Sequence, residues 1–399
     1  MKSPWPTKKL GEICEENIKS PFKVENATNS GEYPFFTSGD NILTHDEYLV
    51  DGENIFLATG GYANVKYYNG KATYSADTWS LKVKNAVTKF VYYQILAKLK
   101  YIDEVSFRGS GLRHLQKKEF LNLEIPLPPL PIQQKIVKIL DIIQEAVEVQ
   151  ERIIEKTKEL KKSLMAELFK YGAPSFRRGR KLKKTEISEI PEDWEMVRLG
   201  DVVNPKDGIK RGPWGGSIKK EIFVSSGYKV YEQGNVLNND FERGEYFISE
   251  TKFLELKSFE VRSGDILVTA AGSLGAIAIV PENIKPGIIN QALIRIHLDE
   301  TKMTKKFFKY LFDKIIATGM IEKYSHGATL KNFASVSILK NLKIPLPSLP
   351  EQQEIAEILR TIDQKIEIEK KKKELYGELF KTMLNKIMNG EIDVEKIEV

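Results

Sequence analysis

Residues 125–143 read IPLPPLPIQQKIVKILDII, and residues 344–362 read IPLPSLPEQQEIAEILRTI. Aligned without a gap, the two segments are identical at 12 of 19 positions. Proline has no amide proton and its ring clashes inside a helix, but it suits a helix's first turn, and the residue before it favours extended geometry. Each copy therefore predicts a stiff, extended entrance that becomes helical near Pro131 or Pro350. A chain that writes this device twice is constrained to fold as two units, each ending in a helix.

Other landmarks recur in the same order. Trp5 stands five residues before Leu10-Gly11-Glu12-Ile13, and Trp194 five before Leu199-Gly200-Asp201-Val202. Gly109-Ser-Gly-Leu112-Arg113 is echoed by Gly327-Ala-Thr-Leu330-Lys331. A spacing of roughly two hundred residues far exceeds that of solenoid repeats and marks a duplicated domain. The predicted organisation is a globular body over 1–130, a long helix over 131–171, a basic linker over 172–190, a second body over 191–349, a second helix over 350–390, and a tail over 391–399. Short β-prone runs bounded by Gly, Asn and Asp, including residues 54–59, 80–84 and 265–269, and internal helices near 89–99 and 305–316 make each body α+β.

In the first long helix Ile136, Ile139, Ile143, Ala146, Gln150, Ile153, Thr157, Leu160 and Leu164 follow at alternating three- and four-residue steps. Leu359, Ile362, Ile366, Glu369, Lys373, Tyr376, Phe380, Met383 and Ile387 do so in the second. These are heptad seams with polar interruptions, and the natural partner of each seam is the other. The linker, with Arg177, Arg178, Arg180, Lys181, Lys183 and Lys184, is either a solvated, flexible connector or a contact for DNA phosphates.

Composition bounds the function classes. A hydrophobic share of 41% supports buried cores, and a net charge of +6 is compatible with nucleic acid without requiring it. Cys14 is the only cysteine and the four histidines are scattered, so neither a disulfide nor a zinc motif is expected. The N-terminus lacks a signal-peptide core and the longest apolar window, 266–281, is too short to span a bilayer, which predicts a cytoplasmic protein without membrane contact. There is no G-x4-G-K-[ST] phosphate loop, no Asn/Asp-Pro-Pro-aromatic tetrapeptide, and no glycine-rich turn suited to S-adenosylmethionine.

The loops suit binding better than catalysis. Lys206–Lys220 interleaves Lys210, Arg211, Trp214, Ser217, Lys219 and Lys220 with glycines. Glycines let backbone amides approach phosphate, cations neutralise it, and Arg can read guanine. The expected counterpart in the first body is the stretch carrying Thr59, Gly60, Tyr62, Asn64, Lys66 and Tyr67, where Asn suits adenine and Tyr packs on sugars or bases. A hairpin with its aromatics in the core is the competing reading of the same residues. Arg108, Arg113 and Lys331, in or beside the Gly-x-x-Leu-basic landmark, complete the set of DNA-contact candidates.

The body–helix order and the doubled L-P-x-L-P-x-Q-Q entrance resemble the specificity subunit of type I restriction-modification enzymes over essentially the whole chain. That resemblance implies an α+β fold: two target recognition domains separated by two long helices in an antiparallel coiled coil, with pseudo-two-fold duplication. It further implies a non-catalytic chain in which each body reads one half of a split, asymmetric site in double-stranded DNA. The implied partners are two methyltransferase (modification) subunits and restriction/translocase subunits, with S-adenosylmethionine, ATP and Mg2+ on those partners and no cofactor or metal on this chain. The segment G-P-W-G-G-S is similar to a recurrent G-P-[FW]-G-S loop of such domains, the extra glycine leaving the role of Ser217 open. A helix of about 39 residues rises about 58 Å, more than one DNA turn at about 3.4 Å per base pair, so an unread gap between half-sites is expected. Two other readings of the landmarks remain: a coiled-coil scaffold that binds protein rather than DNA, and a remnant of a single-chain restriction-methylation enzyme.

Overall fold

The computed structural model describes residues 5–186, 188–213, 215–319 and 335–398. The chain divides into two units. Unit one comprises residues 1–154 and 369–399, and unit two residues 155–368. Each unit therefore holds one globular body, the adjoining part of one long helix and a stretch of the other.

Both bodies are built on one plan. In body one a four-stranded antiparallel sheet runs in the order Cys14–Glu16, Thr78–Val83, Glu53–Ala58, Val65–Asn69, and in body two the order is Ile209–Arg211, Leu293–Ile296, Ile266–Thr269, Ile277–Ile279. The central strand is apolar on both faces, and the two-residue period of a strand sends alternate side chains to different layers. Ile55 and Leu57 join the core that holds Phe90, Val91 and Ile95 of helix Thr88–Ala97, while Phe56 stacks on Phe36 at 4.1 Å on the opposite face. In body two Ile266 and Val268 pack with Phe308, Leu311 and Phe312 of helix Lys305–Ala317, while Leu267 meets Tyr231 and Ile289. Each body is thus helix, sheet and second sheet in layers. The second sheet has three strands in body one and five in body two. Both contain a parallel pair, Tyr33–Phe36 with Thr73–Tyr74 and Tyr228–Tyr231 with Gly287–Ile289.

The repeated motifs meet one another. Strand Thr7–Lys9 pairs with Glu124–Pro126 and strand Glu195–Arg198 with Lys343–Leu346, placing Lys8 opposite Ile125 and Val197 opposite Ile344. Leu10 and Leu199 are buried, and their amides donate to Leu123 O and Leu342 O at 2.9 and 2.8 Å. The glycine after each leucine is set by close approach. A Cβ at Gly11 or Gly200 would stand 3.2 or 3.1 Å from a carbonyl oxygen of the short helix before the second motif.

The first glutamine of each Q-Q pair makes the joint rigid. Buried Gln133 donates to Pro128 O at 2.8 Å and accepts from the Val87 amide at 2.8 Å. Buried Gln352 donates to Pro347 O and Lys302 O at 2.9 and 2.8 Å and accepts from Thr304 N–H at 2.8 Å. One carboxamide thereby ties the proline entrance, the helix start and the head of the body's internal helix, satisfying buried polar groups that are costly to leave unpaired. Tyrosines repeat the tie further along: Tyr93 donates to Asp141 at 2.6 Å, and Tyr310 to Asp363 at 2.8 Å.

The long helices are Leu130–Tyr171 (42 residues) and Leu349–Met388 (40 residues). Within each unit their segments run antiparallel. In unit one Glu151 meets Lys373 at 2.7 Å while Lys135 reaches Glu395 O at 2.9 Å. In unit two Lys161 meets Asp363 at 2.6 Å while Ala173 N–H donates to Glu351 at 3.1 Å. The second seam follows the expected positions, with Leu359, Ile366, Glu369 and Ile387 buried. The first seam also holds at most of its expected positions, with Ile136, Ile139 and Thr157 buried and Ile143, Ala146, Gln150, Ile153 and Leu164 half-buried. It departs at Leu160, which is 49% exposed while Lys161 takes the inward place through its ion pair; Leu140, Ile154 and Leu168 are buried as well.

The basic linker is not a free connector. Trp194 Nε1 and Arg180 Nη2 donate to the Glu351 carboxylate at 2.9 and 2.8 Å, Arg180 also grips Asp193 at 2.8 and 2.6 Å, and strand Leu182–Lys184 pairs with Glu189–Pro191. Arg180 is committed to carboxylates rather than offered to solvent or phosphate, while Arg178 and Lys181 lie exposed.

Candidate nucleic-acid interface

In body one the hairpin formed by Glu53–Ala58 and Val65–Asn69 carries most of the candidates at its tip. Thr59 donates from its amide and its Oγ1 to Asp77 O at 3.1 and 2.6 Å. Gly61 adopts φ +82°, a left-handed conformation natural to glycine, and its amide donates to Arg113 O at 2.8 Å. Leu115 N–H returns a bond to Thr59 O at 3.0 Å, so the tip is stapled to the segment 108–115. Asp103 locks the two from below. Its carboxylate accepts from Ala63 N–H at 2.7 Å and from Arg113 Nη2 at 3.0 and 2.8 Å. Against the desolvation that would raise its pKa, the Ala63 amide and then Arg113 hold it below the usual carboxylate range. The Arg113 guanidinium lies 4.8 Å over the ring of Tyr62, which is 78% exposed, and Leu112 is exposed beside it. The result is a rigid projection that ends in an aromatic face and a cation.

Thr59, Gly60, Tyr62 and Arg113 are thus brought together, with Arg108 near by in the strand pair that matches it to His114. Arg108 is exposed and paired with Glu119 at 2.8 Å. Asn64 and Lys66 face a neighbouring loop. Asn64 Nδ2 donates to Asp40 at 3.0 Å, and Lys66 Nζ donates to Thr37 O at 2.8 Å and to Gly39 O, its ammonium pKa lowered by burial. Tyr67 lies elsewhere: its hydroxyl donates to Glu53, its ring packs 5.8 Å from Tyr92, and burial raises its pKa.

Body two corrects the expected equivalence of loops. The counterpart of residues 59–67 is the hairpin tip between Thr269 and Ile277, not the stretch that follows Lys206. Ile55 and Leu57 pair with Leu81 and Trp79, as Ile266 and Val268 pair with Ile296 and Ile294. Ala270 N–H donates to Ala292 O at 2.7 Å in the manner of Thr59 to Asp77, and Gly272 repeats the positive φ of Gly61 at +65°. The Lys206 stretch instead extends an edge strand, as Asn17–Phe22 does after Cys14–Glu16 in body one. Its glycine is required there, because a Cβ at Gly212 would fall 1.8 Å from Asn290 O. Lys210 lies 5.2 Å over the Phe259 ring, Arg211 continues the strand, Ser217 is half-buried in the turn Gly215–Ser217, and Lys219 and Lys220 are exposed. Trp214 and Lys331 lie outside the described residues. Asp207, next to the predicted cluster, pairs with Arg295, whose side chain is 1% exposed.

Sequence reasoning missed Asp103, which positions the body-one tip, and the group Glu232, Gln233 and Asn290 in body two. Glu232 and Gln233 follow the central strand of a sheet that hydropathy alone did not locate. Among the described residues no group of three or more His, Cys, Asp or Glu is placed to hold a metal ion, and no helix is long and apolar enough to cross a membrane.

The geometry defines a duplicated recognition protein: two bodies of one plan with unlike surface loops, each fixed rigidly to a long helix. The sequence matches the type I restriction modification DNA specificity domain over residues 2–159 and 191–375, and the chain belongs to that family, the specificity subunits of type I restriction-modification systems. Among its relatives is the type I restriction enzyme MjaVIII specificity subunit of Methanocaldococcus jannaschii, 29% identical over 98% of this chain and 94% of that one. In fold it is similar to the S subunit of a type I restriction-modification system from M. genitalium (18% identity, 97% and 96% of the two chains, TM-score 0.60). It is also similar to a chain solved in work on complex assembly and conformational transition of a type I R-M system (17% identity, 98% and 100%, TM-score 0.61).

Proposed function

We propose that this chain is the non-catalytic reader of a cytoplasmic restriction-modification complex, in which each body recognises one half of a split, asymmetric site in double-stranded DNA. The observation that carries the reading is the pairing of a shared frame with unlike loops. Two bodies with one strand order and one helix joint present a stapled, aromatic-tipped hairpin in body one and an extended glycine-rich, basic edge loop in body two. In body one Thr59, Gly60, Tyr62, Asn64, Lys66, Arg108 and Arg113 are the contact candidates, Tyr67 the weakest because of its place beside Tyr92. In body two they are Lys210, Arg211, Trp214, Ser217, Lys219, Lys220 and Lys331.

The helix pair sets the gap between the half-sites and docks two methyltransferase subunits, which supply S-adenosylmethionine chemistry. Restriction/translocase subunits using ATP and Mg2+ complete the assembly. A helix of 42 residues rises about 63 Å at about 1.5 Å per residue, roughly eighteen base pairs at about 3.4 Å each. Lengthening both helices by matched increments is expected to widen the unread gap in the methylated motif while leaving both half-sites intact; an unchanged gap would remove the helices' measuring role. The absence of salt-dependent DNA binding when the chain is mixed with its methyltransferase partner would favour the scaffold reading instead.

A further inference from the structure

The strand Tyr228–Tyr231 of body two ends at a carboxylate and a carboxamide set among three loops. Gln233 Nε2 donates to Ala271 O in the hairpin tip, and its Oε1 lies 3.3 Å from where a Cβ on Gly272 would stand. Asn290 Nδ2 approaches Glu232 Oε1 at 3.5 Å, while the Asn290 carbonyl backs onto Gly212, where the glycine-rich edge loop begins. Glu232 therefore sits where the hairpin tip, the edge loop and the turn at 290–292 converge. Beside it the Arg243 side chain crosses Gly234, its Nε 3.4 Å from a Cβ placed there.

Glu232 is unlike its acidic neighbours. Asp207 pairs with Arg295, Glu260 with Lys257 and Arg262, and Asp265 with His297. Glu232 is half-buried, forms no ion pair among the described residues, and burial raises its carboxyl pKa with only the Asn290 amide opposing. The turn after the strand is closed through the backbone, with Glu232 N–H donating to Asn235 Oδ1 at 2.8 Å, a bond that does not use the Glu232 carboxylate. On a surface that meets DNA, phosphates repel a carboxylate, and the donors that reward one are the exocyclic amino groups that cytosine and adenine expose in the major groove.

The same place in body one has different chemistry. Ser75 N–H donates to Phe36 O at 2.9 Å as Asn290 N–H donates to Tyr231 O at 3.0 Å, which makes Thr37 and Ser38 the counterparts of Glu232 and Gln233. There Ser38 Oγ donates to Asp77 O, and Thr37 O holds Lys66 at 2.8 Å. The frame is kept while hydroxyls replace a carboxylate and a carboxamide.

We propose that Glu232 is a base-reading residue of body two, accepting a hydrogen bond from the exocyclic amino group of a cytosine or adenine, with Gln233 holding the tip against it. This rests on the reading of the chain as a DNA-specificity subunit. The test is to assemble the full complex with its methyltransferase partners carrying wild-type chain, Glu232→Gln or Glu232→Thr, and to map methylated adenines. Both substitutions are expected to leave body one's half-site intact and to change base preference at one position of body two's half-site by roughly tenfold or more, the position itself telling cytosine from adenine. An unchanged motif with either folded variant, or equal weakening of both half-sites, overturns the proposal. If the wild-type complex itself yields no split motif, the underlying functional reading fails and this proposal falls with it.

Discussion

Unit one and unit two share their joints and differ in what surrounds them. Gln133 and Gln352 occupy the same place in the same motif, yet Gln133 ties down two backbone groups and Gln352 three. Beside them Ile132 in unit one is replaced by Glu351 in unit two, where the carboxylate gathers Arg180, Trp194 and the Ala173 amide. Unit two also buries Arg295 and Lys229, while the sheets of body one are filled by mutually packed aromatics such as Phe36, Phe56 and Tyr74. The joint is thus a fixed requirement of the fold, whereas the polar content of each unit is free to differ.

The sharpest way to break the comparison is at Glu351. Glu351→Ala leaves Arg180 in a largely buried site without its main partner, and is expected to cost about 3–5 kcal/mol. Denaturant unfolding combined with hydrogen exchange should find the loss in unit two, centred on residues 172–194. Ile132→Ala in unit one removes only apolar contact and should cost clearly less. Next come the joints themselves. Gln352→Ala and Gln133→Ala each orphan buried backbone groups, at about 1–3 kcal/mol apiece, and Gln352→Ala should be the more damaging because it frees one group more.

A pH-dependent difference follows from Asp313, whose carboxyl burial pushes up to about 6, chiefly by desolvation, against the pull of Lys309 and Lys161. Body one carries Leu96 at the equivalent helix position, in register with the match of Tyr93 to Tyr310. A folded-state pKa above the unfolded one means stability that is fully present below about pH 4 and is lost as pH rises through about 6. Asp313→Asn should therefore raise the stability of unit two at pH 8 by about 1–3 kcal/mol and change little at pH 4, as thermal melts at both pH values would read out. The smallest effect is expected at Asp103. Asp103→Asn weakens the grip on Arg113 and Ala63 without removing a DNA contact, so recognition of body one's half-site should fall severalfold while body two's half-site is unaffected.

The joint was legible in the sequence because it is written twice, and a device that recurs with its prolines and glutamines in place has few folds open to it. The first seam departed from its expected positions only at Leu160, for a definite reason: Ile139 and Leu140, and again Ile153 and Ile154, are adjacent apolar pairs, so two phases of the same three-four stepping share the helix. Ile139 and Leu140 are both buried, Ile154 is buried more deeply than Ile153, and Leu160 is left outward. The loop equivalence failed differently. The true partner of the body-one tip, within ILVTAAGSLGAIAIV, has neither cation nor aromatic at its turn and reads as core, so the basic edge loop drew the comparison instead. Asp103 and Glu232 were invisible because their roles depend on strands and loops distant in sequence.

The central claim is that two separable readers share one frame. Its most direct test is to exchange residues 191–349 for the matching body of a relative and to map methylated adenines in the assembled complex. The account predicts that one half of a split motif changes while the other half and the gap remain. A motif altered in both halves, or in neither, would contradict it.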